Sequence, residues 1–123
     1  MKKTRTLGES FFYAISGILY ALKTQRNIKI HFMTTLLIIL FSILLKLNIT
    51  EVLIVAITIA LVLTAEMINT AIEAVVDMFT QEYHPLAQAA KNVAAGAVLI
   101  SALNAVVVGY LIFYNKIAIL LSH

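Results

Sequence analysis

Three apolar runs, each about 20 residues or longer, leave this chain few ways to fold. They cover about residues 28–47, 51–76 and 93–121, and each reaches the ~20 residues a helix needs to cross a hydrocarbon core. With 62% hydrophobic and 12% charged side chains among 123 residues, the sequence is too apolar for a soluble domain of this size. In lipid, backbone polar groups must be satisfied within the protein, so only helices or a closed barrel can span. No alternation with barrel spacing occurs, and the expected fold is all-α and integral to the membrane.

Ahead of the first run, residues 6–24 read as a helix lying in the membrane interface. Thr6-Leu7-Gly8-Glu9 has the spacing of a capping box. Phe11, Phe12, Ile15, Ile18, Leu19 and Leu22 then gather on one side, with Glu9, Tyr13, Ser16, Tyr20 and Lys23 opposite. The short Leu47–Glu51 turn predicts an antiparallel hairpin of spans one and two. The longer Met78–Ala90 connection holds the single proline, Pro85, before which a helix is expected to end. The small residues Ala89, Ala90, Ala94, Ala95, Gly96 and Ala97 let the third span approach a neighbour closely. One domain over residues 1–123 is expected, with no repeats. The absence of cysteine excludes disulfides and thiolate metal sites. The basic start lacks a small-x-small cleavage pattern, so no cleaved signal is expected.

Charge placement predicts orientation. Lys2, Lys3, Arg5, Lys23, Arg26 and Lys29 precede the first span and Lys91 lies between spans two and three, whereas Lys46 and Lys116 fall on the other side. By the positive-inside rule, the N-terminus and the Met78–Asn92 connection face the cytoplasm. A bacterial plasma membrane location is expected, and a nucleic-acid partner is not.

The second run contradicts its own apolar character. Glu66, Asn69, Glu73 and Asp77 fall on one arc at about 100° per residue, with Thr70 beside them. Met67, Ile68, Ala71, Ile72 and Val75 occupy the opposite side. A carboxylate facing lipid costs roughly 2.5–3.5 kcal/mol, so the row is expected to face a partner, a metal or a polar cavity. None of the four glycines is spaced as a nucleotide-binding loop, and no zinc-binding His-Glu-x-x-His occurs. His31, His84 and His123 are scattered, and each reads as an interfacial or surface histidine. What remains is carboxylate and amide chemistry beside Lys91. That chemistry suits a hard divalent cation completed by water and phosphates, or a carboxylate taking an alcohol proton. Interhelical hydrogen bonds and an ion pair from Lys91 to Glu73 or Asp77 would also account for these residues.

The stretch Glu66-Met67-Ile68-Asn69-Thr70-Ala71-Ile72-Glu73-Ala74-Val75-Val76-Asp77, followed by His84-Pro85-Leu86-Ala87-Gln88-Ala89-Ala90-Lys91-Asn92, closely resembles the bacterial integral-membrane diacylglycerol kinase and undecaprenol kinase family. The resemblance covers essentially the whole chain, including Arg26-Asn27 before the first span. It implies a homotrimer with active sites at subunit contacts near the cytoplasmic interface, transferring the γ-phosphoryl of MgATP to a lipid alcohol. It further implies Glu66 as catalytic base, Glu73 as a magnesium ligand, Asn69 and Thr70 as supporting polar residues, and Lys91 on the phosphates. Tyr13, Gly17, Asp77 and Asn92 match the nucleotide-binding region.

Two positions depart from the family pattern. Gln25 replaces a glutamate that serves as a second magnesium ligand, and Asn92 replaces an aspartate; both changes remove negative charge near the nucleotide. The Arg26 to His31 element and the His84-Pro85-Leu86-Ala87 connection resemble Gram-positive members associated with undecaprenol, the expected substrate ahead of diacylglycerol. The alternatives are a non-catalytic member that binds nucleotide or lipid, and a proton-coupled transporter using Glu66.

Overall fold

The computed structural model describes residues 4–122, so the basic Lys2 and Lys3 and the C-terminal His123 lie outside the described residues. Four helices follow in order: α1 (Leu7–Thr24), α2 (Arg26–Leu44), α3 (Ile49–Phe79) and α4 (Pro85–Leu121). The last three are long and apolar enough to cross a membrane.

The expected capping box opens α1. The Thr6 hydroxyl accepts from the Glu9 amide at 3.2 Å, and the Glu9 carboxylate accepts from the Thr6 amide at 3.0 Å. Phe11, Phe12, Ile15, Ile18 and Leu19 are all exposed, the uncovered apolar side an interfacial helix would lay on lipid. One extended residue, Gln25 (φ −110°, ψ 116°), separates α1 from α2.

The end of α2 falls at Leu44, short of the expected 47, for a local reason. The Leu47 amide donates to the Ser42 carbonyl at 3.1 Å and the Lys46 amide to that of Ile43 at 3.2 Å, the paired bonds of a Schellman motif. Its left-handed position is Lys46, with φ 54°, where glycine is the usual residue.

A second capping box follows at once. The Asn48 side chain accepts from the Glu51 amide at 2.9 Å and the Glu51 carboxylate from the Asn48 amide at 3.0 Å. The turn read from the sequence is therefore also the ordered start of α3. At the other end, α3 stops at Phe79, before Pro85 as expected, and Pro85 itself begins the next helix. It is the first residue of α4, where its missing N–H costs nothing, and His84 Nδ1 accepts from the Leu86 amide at 3.1 Å. The third span thus starts earlier than expected, and only Thr80–His84 separate it from α3.

The most extensive packing is between the antiparallel α3 and α4. Their register is marked by two ion pairs: Glu51–Lys116 at 3.0 Å and Asp77–Lys91 at 2.6 Å. The pairs are 26 residues apart on α3 and 25 on α4, or about 38 Å at 1.5 Å per residue. They flank a length comparable to a ~30 Å hydrocarbon core. The inward stripe of α3 carries Val55, Thr58 and Val62, then Glu66, Asn69 and Thr70, all buried. Glu66, Asn69 and Thr70 thus continue the core stripe and face protein, whereas Glu73 is half-buried and Asp77 exposed.

Replacing Lys46 with glycine is expected to stabilise the α2–α3 hairpin by about 1 kcal/mol, because a non-glycine residue in the left-handed region costs roughly that much. Thermal unfolding of both proteins in the same detergent checks it.

Candidate active site

Taking Glu51 as one border of the membrane, Glu66 lies ~22 Å along α3 and Asp77 ~39 Å. Against a ~30 Å core, Glu66 therefore sits within the far end of the hydrocarbon, while Asp77 is beyond it among the headgroups. Between them the row passes from buried to exposed.

Glu66 is 2% exposed. Its carboxylate oxygen Oε1 lies 3.1 Å from Nε2 of His31, on α2. This corrects the reading of His31 as an interfacial or surface histidine. Its side chain is three-quarters covered and bonded to the innermost acid of the chain. A lone histidine in an apolar run carries no periodic signal, and only the α2–α3 register brings it to Glu66. One turn further, the Thr70 hydroxyl donates to the Glu66 carbonyl at 2.9 Å, so Thr70 supports the backbone beneath the carboxylate.

Asn69 donates from Nδ2 to Glu73 Oε1 at 3.2 Å. Its own carbonyl oxygen, Oδ1, is buried without a hydrogen-bond partner among the described residues. A buried acceptor with no donor costs roughly 1–3 kcal/mol, which a bound ligand would recover. Glu73 itself is half-buried. No group of three or more His, Asp or Glu side chains able to hold a metal occurs among the described residues. The Glu73 carboxylate and the unpaired Asn69 carbonyl are oxygen donors of the kind a hard cation such as magnesium completes with water and phosphate oxygens.

The ion pair foreseen as a structural alternative is present, since Lys91 joins Asp77 across the α4–α3 junction. Both ends are partly exposed, so the ammonium remains open to a further anion. Asp77, Lys91, Thr80, Glu82, His84 and Gln88 line a polar recess of about 400 Å³. Asn92 accepts from Gln88 Nε2 at 2.9 Å on the exposed surface of α4. Gln25 is half-buried at the α1–α2 joint, and its side chain does not cap α2. Tyr13 is exposed, with the Arg5 guanidinium 4.5 Å from its ring centre. A Cβ added to Gly17 would meet nothing within 4 Å, so nothing within the subunit requires glycine there.

A buried carboxylate near one end of the span, an amide and an acid one to two turns outward, and a lysine–aspartate pair beyond them form a polar row on one membrane-length helix and its neighbour. The sequence matches the prokaryotic diacylglycerol kinase family over residues 12–113, and the chain belongs to that family of lipid kinases. It is 48% identical over 101 residues to a diacylglycerol kinase of Synechocystis sp., covering 81% of this chain and 58% of that protein. It is 38% identical over 109 residues to an undecaprenol kinase of Bacillus subtilis, covering 89% of each. Against a diacylglycerol kinase of Escherichia coli K12, 40% identity extends over 67 residues, 54% of each chain. The chain thus spans little more than half the length of the Synechocystis relative.

Glu66→Gln is expected to change stability by less than about 1 kcal/mol, because the amide oxygen can accept the same His31 N–H in the same volume. Glu66→Ala leaves that donor unpaired above a cavity and is expected to cost about 2–4 kcal/mol. Unfolding of the two variants under one detergent condition separates these outcomes.

Proposed function

We propose that the protein is a lipid kinase that moves the γ-phosphoryl of MgATP to a membrane alcohol, with undecaprenol the favoured acceptor. The observation that carries this reading is the buried carboxylate of Glu66 within a helix long enough to cross a membrane, at a depth expected near one edge of the hydrocarbon. A lipid hydroxyl reaches that depth, and few uses other than proton chemistry explain an acid kept there. In the proposed reaction the lipid oxygen attacks the γ-phosphorus in line. The new O–P bond forms as the bond to the bridging β–γ oxygen breaks, and ADP leaves. The hydroxyl proton passes to Glu66, and no phosphoenzyme forms.

Glu73, with Gln25 as an uncharged oxygen donor, would hold the magnesium ion. When bound, the ion neutralises charge on the phosphates. Asn69 keeps Glu73 oriented through its 3.2 Å bond. Lys91 would offer its partly exposed ammonium, held by Asp77 Oδ1 at 2.6 Å, to the phosphates, and Asp77 would border the nucleotide beside it. Tyr13, Gly17 and Asn92 are proposed to border the nucleotide. One hairpin with one further helix offers too little surface to enclose a nucleotide and a lipid together. A homotrimer with sites at subunit contacts, facing the cytoplasm of a bacterial cell, completes the reading. The whole chain acts as a single catalytic domain.

Undecaprenol is favoured because the Bacillus relative with that name is covered over 89% of both chains, in keeping with the resemblance carried by the Arg26 to His31 element and the His84-Pro85-Leu86-Ala87 connection. The 48% identity to the Synechocystis protein favours diacylglycerol as the second reading. Phosphoryl transfer from labelled ATP in mixed micelles, with each lipid offered separately, tests both. Magnesium-dependent labelling is expected, with undecaprenol the faster acceptor, and loss of labelling by more than a hundredfold in Glu66→Gln. Absence of labelling of either lipid by the folded protein would overturn the kinase reading, and faster labelling of diacylglycerol would reverse the substrate assignment.

A further inference from the structure

We infer that His31 is a positioning residue for Glu66, holding one carboxylate oxygen so that the other is presented to the acceptor hydroxyl; this rests on the kinase reading. Among the described residues, His31 is the side chain that contacts the Glu66 carboxylate, at 3.1 Å between Nε2 and Oε1. An ionised carboxylate only accepts, so Nε2 carries the hydrogen and donates it. Oε1 is thereby fixed and Oε2 left for a proton.

The backbone that carries the imidazole is braced within α2. Ile28, one turn earlier on α2, is buried, and the Thr35 hydroxyl donates to the His31 carbonyl at 2.8 Å. Beyond the ring lies a cavity of about 80 Å³ lined by Thr35, Val55, Thr58, Val62 and Phe113, so a side chain of similar reach can replace histidine without a clash.

The choice of partner separates this contact from the other two pairs. Glu51 and Asp77 near the ends of α3 are met by lysines, which fix a full positive charge beside the acid. A lysine at Glu66 would hold the carboxylate as a salt and weaken it as a base. An imidazole orients the same oxygen through an N–H without the fixed charge of an ammonium.

Kinetics and a spectroscopic readout together test the assignment. In His31→Ala, kcat is expected to fall on the order of 10²-fold, the scale of a misplaced reacting group, with KM for ATP unchanged. His31→Gln, which keeps an N–H donor at similar reach, is expected to recover kcat to within a few-fold of the parent. Unchanged kcat in His31→Ala, or equal losses in the two variants, would overturn the proposal while leaving the kinase reading intact. If the parent protein transfers no phosphate, the kinase reading fails. The contact is then decided by two-bond ¹⁵N–¹H correlations of the His31 ring. A hydrogen on Nε2 in the parent, giving way to a tautomer mixture in Glu66→Ala, supports the pairing. A ring pattern unaffected by Glu66→Ala overturns it.

Discussion

The burial of one carboxylate governs how this chain is arranged. An acid at hydrocarbon depth cannot face lipid without a cost of several kcal/mol, so the side of α3 that carries Glu66 must be the side that packs. That requirement makes the acid row continuous with the apolar stripe of Val55 and Val62. It also sets the register of α2, because a donor has to arrive opposite Glu66, and His31 is the residue that does. The α3–α4 pair is registered separately, by ion pairs that each stand where a lysine can extend toward water. Such partly exposed pairs contribute on the order of 0–1 kcal/mol each, so their effect is to select the alignment more than to add stability.

Much of this was legible in the sequence, for reasons that differ by element. The spans follow from length and apolarity, and the inward side of α3 follows from the 3.6-residue spacing of Glu66, Asn69, Glu73 and Asp77. The Thr6–Glu9 box was readable because a hydroxyl and an acid stood three apart before an apolar run. The same pattern with an amide, Asn48–Glu51, passed as a turn, since the loop itself was short enough to explain both residues. Pro85 was ambiguous for a physical reason: a proline ends the helix before it and also suits the first position of the next. Lys46 gave no sign of its left-handed conformation, which normally announces itself as glycine. His31 was beyond reach, because its role depends on a contact between helices 35 residues apart in sequence and not on any local pattern.

The described subunit covers little of its own apolar surface. Phe11, Phe12 and Ile15 on α1, Leu36 and Leu40 on α2, and Leu99, Leu103 and Val107 on α4 are all exposed. Lipid accounts for such surface without any protein partner, since acyl chains are as apolar as leucine. Exposure on these helices is therefore a weak argument for oligomerisation. The polar side bears on a ligand more than on a second subunit: among the described residues Asn69 Oδ1 is enclosed and unpaired, and Lys91, paired with Asp77, borders an open recess. The proposed trimer rests on the resemblance and on the small surface one subunit offers a nucleotide and a lipid together.

The two departures from the family pattern act in one direction on that site. Gln25 and Asn92 are both neutral where the resemblance leads one to expect acids. Asn92 is engaged by Gln88 on its own helix, a bond that an amide or an acid could equally accept. Gln25 stands at an extended joint where its side chain caps nothing, so its carbonyl oxygen is available to a ligand. Fewer fixed negative charges weaken the attraction for a free divalent cation but also reduce repulsion of a polyphosphate. A site so balanced suits a cation that enters already bound to the nucleotide. In the proposed reaction, then, the substitutions shift the burden of metal binding from the protein to the phosphates, while Glu66 and its imidazole partner, buried below the headgroups, are left untouched.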